Sequence, residues 1–239
     1  MSSHQILNNA DHADLRVHTD AGAEFGDTVM ACITVPAEFR QVQGHFPIVF
    51  RRDIETANFS ALALFGFENG ENLFLEGGKW DARYRPLALA IQPFLVGRSA
   101  AEGKDAQVHI DMGHPRVSVN GEGTRVFDEV GKPTPYLEAI AARLGDLDFG
   151  YRECAGFFAA LERYALIEPF TVEVPLDDGS KNSLIGFHMI DEERLASLDG
   201  EALGALHTEG HLQAIFMVVA SLSQFSALVA RKNARVAGA

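Results

Sequence analysis

His109-Ile-Asp111 sets an imidazole and a carboxylate two residues apart, so on an extended strand both leave the same face. That pair is two thirds of a facial triad for non-haem Fe(II), which needs one further, distant histidine. His188, itself on an expected strand, is the third ligand this alternative requires. The plainer account of the pair is the solvent face of a half-exposed strand. His207-Thr-Glu-Gly-His211 sets two histidines four apart, the spacing at which one helix face can grip zinc. No glutamate directly follows the first histidine, as the zinc-protease signature demands, and Gly210 reads as a helix stop between the two. Capping and exposure account for them better.

A second group is Trp80, Asp81, Arg83, Tyr84 and Arg85, inside the stretch Gly70 to Leu95. An indole and a phenol each pair an apolar body with one polar handle that wants a partner. Beside a carboxylate and two guanidinium groups they suit a packed corner, with Asp81 capping a helix or holding an arginine. An aromatic pair with arginine also suits recognition surfaces, which makes these five the candidate ligand- or partner-binding residues. No nucleophile emerges. Gly156 and Gly186 lie outside any G-x-S-x-G context, and Cys32 and Cys154 carry no local signature. Gly121-Glu-Gly123 and Gly66 to Gly70 lack the strand, turn and helix of a phosphate cradle. The sequence therefore assigns no catalytic residue and no cofactor, with Fe(II) on His109, Asp111 and His188 as the alternative.

These residues must be positioned by short elements. Thr28 to Val35, Phe46 to Phe50 and Ser60 to Phe67 read as strands, and Asn69-Gly70 predicts a hairpin joining 60–67 to 71–75. Gly77-Gly78 reads as a turn, and Pro86 opens a helical segment over 86–95 that Pro93 interrupts. A polar loop from Arg98 to Asp105 follows. Strands are then expected at 107–111, 116–119 and 124–127. Thr134-Pro135 starts a helix with Leu137, Ile140, Ala141, Leu144 and Leu147 inward, and a second helix follows Gly150. Thr171 to Val174 pairs with Ser183 to Ile190 across Asp177-Asp-Gly179. Helices begin after Glu192 and Asp199, and one long buried helix covers 212–230. The fold class is α+β, a single domain over 28–231 between a flexible segment 1–27 and a flexible tail 232–239.

Composition narrows the function. With 20 basic against 33 acidic residues, a net charge of −13 repels phosphate backbones and anionic lipid, so nucleic acid is an unsuitable partner. Leu212 to Ala230 is uncharged and long enough to cross a bilayer. Gln213, Ser221, Ser223, Gln224 and Ser226 interrupt it, so a soluble core helix is the reading, not a membrane span. The N-terminal residues lack the basic start and apolar run of an export signal, and two separated cysteines do not make a disulfide scaffold. A reducing cytoplasm fits best.

Three stretches together resemble the bacterial SapC family. They are His45-Phe-Pro-Ile-Val-Phe50 leading to Gly70-Glu-Asn-Leu-Phe74, then Trp80-Asp-Ala-Arg-Tyr84-Arg-Pro86 with Pro93-Phe94, and finally Gly186-Phe-His-Met-Ile-Asp191-Glu-Glu-Arg-Leu195 with Leu198, Leu203, Leu206, Gly210 and Ser221-Leu-Ser-Gln224. The family name implies surface layers, but no reaction is established for its members. Their genes are often found near outer-membrane receptors and flavin-dependent halogenase-like proteins, which implies an accessory role. The expectation is a non-catalytic cytoplasmic accessory protein that contacts a protein or peptide, with a homodimer as the oligomer considered. The competing readings are the iron oxygenase and, third, a surface-layer structural protein, which the missing export signal disfavours.

Overall fold

The computed structural model describes residues 3–97 and 107–238, so the polar loop expected at 98–105 lies outside the described residues. In chain order the elements are β1 (His4–Ile6), β2 (Arg16–Val17), β3 (Ala31–Thr34), α1 (Phe39–Val42), β4 (Ile48–Arg52) and β5 (Phe59–Leu64). Next come β6 (Leu75–Glu76), β7 (Lys79–Trp80), α2 (Leu87–Ala90), β8 (Phe94–Gly97), β9 (Gln107–Asp111) and β10 (Thr124–Arg125). The rest is α3 (Pro135–Arg163), β11 (Ile167–Pro175), β12 (Lys181–Ile190), α4 (Glu192–Ala196), α5 (Gly200–Thr208), α6 (Leu212–Ser221) and α7 (Gln224–Ala237). Helices and antiparallel strands in several small sheets make this an α+β fold.

The chain divides into two compact units that interleave in sequence, which is why no linker is visible between them. The first comprises Met1–Thr28, Leu75–Asp81 and Leu87–Phe149, and the second Val29–Phe74, Ala82–Pro86 and Gly150–Ala239.

In the first unit β9 lies between β1 and β8, and β10 pairs with β2. Its core gathers Val17, Ile91, Phe94, Ile110, Val126, Leu137, Ile140 and Leu144. The N-terminal segment, expected to be flexible, is built in. His4 to Ile6 run antiparallel to His109 to Asp111, and Arg116 fastens residues 18–27 from inside. That inward turn of Arg116 also explains why 116–119 is no strand, since Val117 keeps a single bridge to Val17.

The second unit is built on one antiparallel sheet of order β11-β12-β4-β5-β3. Edge-on phenylalanine pairs fill its core, including Phe50 with Phe158 and Phe46 with Phe74, a packing that rings prefer over face-to-face stacking. Ser221 fixes α6 to the sheet: its hydroxyl accepts from the Ile48 backbone N–H at 2.9 Å and donates to the Val218 carbonyl.

Several expectations are corrected. The hairpin 60–67/71–75 does not form, because β3 and β4 already occupy both edges of β5. Residues 66–74 instead make a loop in which the Leu73 N–H donates back to the Phe65 carbonyl. The 86–95 helix shrinks to one turn, since Pro93 has no N–H to continue it, and Phe94 to Gly97 pair with β9 as a strand. The break expected at Gly150 is absent and α3 runs 29 residues. A Cβ at Gly150 would lie 2.5 Å from Val35, so this glycine serves close packing within a helix. The single buried helix over 212–230 is two helices meeting at Leu222-Ser223, with 28% of its most apolar window buried. The tail beyond Arg231, expected to be flexible, continues α7 to Ala237 and buries Lys232.

Candidate functional site

The Trp80 cluster is divided. Trp80 lies in a tight two-strand hairpin opposite Leu75, with Gly77 and Gly78 both at positive φ as a two-residue turn of that hand requires. Trp80 and Asp81 belong to the first unit, whereas Arg83, Tyr84 and Arg85 belong to the second. Asp81 and Arg83 are exposed. Tyr84 turns inward, and its hydroxyl donates to Glu38 Oε1 at 2.8 Å. Glu38 is 3% exposed, and its other oxygen accepts from Thr34 Oγ1 at 2.9 Å. A carboxylate this buried is tolerable only because such donors replace its water. Burial, reinforced by Glu38 and opposed by Arg85, holds the Cys32 thiol well above its ordinary range.

Beside this network, and sharing Thr34 with it, is a cleft of about 400 Å³. One wall is the outer end of the sheet, Ile33, Thr34 and residues 57–61. The other is the second half of α3, from Tyr151 through Cys154, Ala155, Phe158 and Ala159 to Glu162. The cleft is thus bounded on one side by Ile33 and Thr34 at the end of β3, the outermost strand of the sheet. That edge is open: β3 ends the sheet order, and among the described residues no strand pairs with its outer side. Phe65 N–H donates to the Met30 carbonyl, and in antiparallel alternation the backbone groups of Cys32 and Thr34 follow Met30 toward β5. Ala31 and Ile33 are left directing N–H and C=O outward, and Ile33 is 41% exposed. Cys154 donates its S–H to the Gly150 carbonyl at 3.4 Å, and burial, with Glu153 adding, pushes the thiol up to about 11. At neutral pH it is a packing group, not a thiolate.

The iron alternative draws its three residues from both units. His109 and Asp111 do share a face of β9, but His188 sits on β12 of the other unit, its ring edge-on to Phe59. Asp111 spends its carboxylate on the backbone N–H groups of Ser3 and Gly113, and His109 packs flat where a side chain on Gly97 would stand. Among the described residues no three His, Cys, Asp or Glu side chains form a group able to hold a metal ion. His207 and His211 fall on either side of a break, with Gly210 at φ 83° ending one helix before the next begins.

A family model for SapC matches residues 7–228, nearly the whole chain, and the protein belongs to the SapC family. No curated protein and no solved structure matches it significantly.

The sequence singles out Tyr84 and Arg85 but not Glu38, Thr34 or the cleft. Thr34 to Glu38, with Pro36 between, carries only the signature of a helix start. Glu162 had no local signal at all, being one acid on a helix.

Proposed function

We propose that the chain is a non-catalytic accessory protein that binds a protein or peptide partner in the cytoplasm, at the cleft beside β3. The observation that carries this reading is a cleft lined by the outermost, unpaired strand of the sheet, which offers backbone hydrogen bonds and a side-chain pocket side by side. Both cysteines are free thiols held in the protonated state, which suits a reducing compartment. The accessory role is the one the SapC membership implies. The test is capture from the native bacterial lysate by wild-type protein and by Ala155→Trp, which fills the cleft from an exposed helix position. Partners retained by wild type and lost by Ala155→Trp, with unchanged melting, support the reading. Partners captured equally by both overturn it.

A further inference from the structure

The chemistry of the cleft specifies more than a generic partner. Along α3 its wall follows successive helical turns: Tyr151, then Cys154 and Ala155, then Phe158 and Ala159, then Glu162. At 1.5 Å per residue this is a path of about 16 Å, aromatic at one end, small and apolar in the middle, and charged at the other. Glu162 is the only charged side chain lining it, and its carboxylate has no partner among the described residues. The nearby cations are committed elsewhere. Arg163 grips Glu209 through two bonds of 2.7 and 2.9 Å, and Arg52 donates to the Ala57 carbonyl while lying over the Phe59 ring. The chain as a whole carries a net charge of −13, so nothing in its long-range field opposes a cation here.

Resting on the binding reading above, we infer that the occupant is an extended, basic peptide segment. Its backbone adds to β3 through the outward groups of Ala31 and Ile33, and one Lys or Arg side chain lies in the cleft with its charge at Glu162. A long basic side chain suits the charged end of this path, because its methylene stem lies against the apolar wall at Phe158 and Ala159 while its head keeps a polar partner. An acidic or purely apolar side chain would leave the carboxylate repelled or desolvated. The backbone bonds supply affinity without sequence preference, and the cleft supplies the preference.

The experiment is selection from a random octapeptide display library on immobilised wild-type protein, Glu162→Lys and Ala155→Trp. Wild type is expected to enrich one Lys or Arg position flanked by apolar or β-branched residues and free of proline. Glu162→Lys is expected to replace that position by Asp or Glu. A synthetic peptide of the wild-type consensus should bind Glu162→Lys at least tenfold more weakly by fluorescence anisotropy. It should weaken similarly on Ile33→Pro, where a lost outward N–H leaves the ladder to β5 intact. Enrichment without a basic position, the same consensus on Glu162→Lys, or no enrichment over Ala155→Trp would each overturn the inference. If the lysate partner is lost by Ala155→Trp but kept by Glu162→Lys, partner binding at the cleft stands and the basic-peptide assignment alone falls.

Discussion

Among the described residues each unit holds one buried cation against carboxylate, and each uses it to fasten a segment near one end of the chain. In the first unit Arg116 is 2% exposed and Asp27 1%. One guanidinium nitrogen meets both Asp27 oxygens at 2.7 Å, and another donates to the carbonyls of His18 and Asp20 at 2.8 Å. In the second unit Lys232 donates to Glu71 at 2.7 Å and to Glu68 at 3.4 Å, and Asn182 donates to Glu68 as well. Around it Arg231 and Arg235 donate to the carbonyls of Leu73 and Asn72, clamping the 66–74 loop under α7. The difference lies in what each cation must organise. Residues 18–27 have almost no regular structure, so their carbonyls need donors from outside, and a planar fork can serve a carboxylate and two carbonyls at once. Lys232 sits on a helix that already satisfies its own backbone, so a point charge suffices.

That contrast fixes an order of effects. Arg116→Met should cost the most, roughly 3–5 kcal/mol, because it takes the guanidinium away from buried Asp27 and from two carbonyls. The loss reads as a lower denaturant midpoint, with faster amide exchange across residues 15–27. An unchanged midpoint would mean that water serves the segment equally well. Lys232→Met should cost less, about 1–3 kcal/mol, since Glu68 is largely exposed and can rehydrate while Glu71 keeps the Phe67 backbone N–H as a donor. Its exchange signature should be confined to residues 66–74 and α7.

The smallest effect is a pH dependence that both units share. Burial, with Arg116 adding, lowers the pKa of His114, and burial, with Arg52 adding, lowers that of His188. A histidine whose folded pKa lies below its unfolded value of about 6.5 binds fewer protons folded than unfolded. Its stabilisation is therefore present above about pH 6.5 and is lost as pH falls through the folded pKa. The urea midpoint should decline between pH 7 and 5, and His188→Gln should flatten part of that slope. A midpoint flat across this range would contradict burial of both rings. At Lys232 burial lowers the pKa but Glu71 and Glu68 outweigh it, so that contribution persists through neutral pH and is lost only under alkaline conditions.

Local chemistry was readable wherever it is self-contained. Thr134 accepts from the Leu137 N–H at the start of α3, and Asp191 and Asp199 cap α4 and α5. The turn at Asp177-Asp-Gly179 closes the β11/β12 hairpin as its residues require. The corners that misread are those where a neighbour far along the chain overrides a local signal. Asn69-Gly70 is a strong hairpin dipeptide, yet the strand it would extend had no free edge left. Gly150 looks like a helix break until Val35 occupies the space of its missing side chain. For the candidate site, Tyr84 and Arg85 stood out by composition, but which of the five clustered residues turned inward depended on Glu38, 46 positions upstream of Tyr84.

The sequence by itself determined the α+β class, the SapC membership, the capped helices and the polar residues able to do chemistry, because side-chain type and short-range spacing act within a few residues. Tertiary structure alone decided that β12 pairs with β4, that β3 is left as an open edge, and that Glu162 on α3 lines the same cleft as Ile33 and Thr34. Those outcomes follow from competition for hydrogen-bonding edges and packing space among segments more than a hundred residues apart, and no local pattern encodes which segment wins.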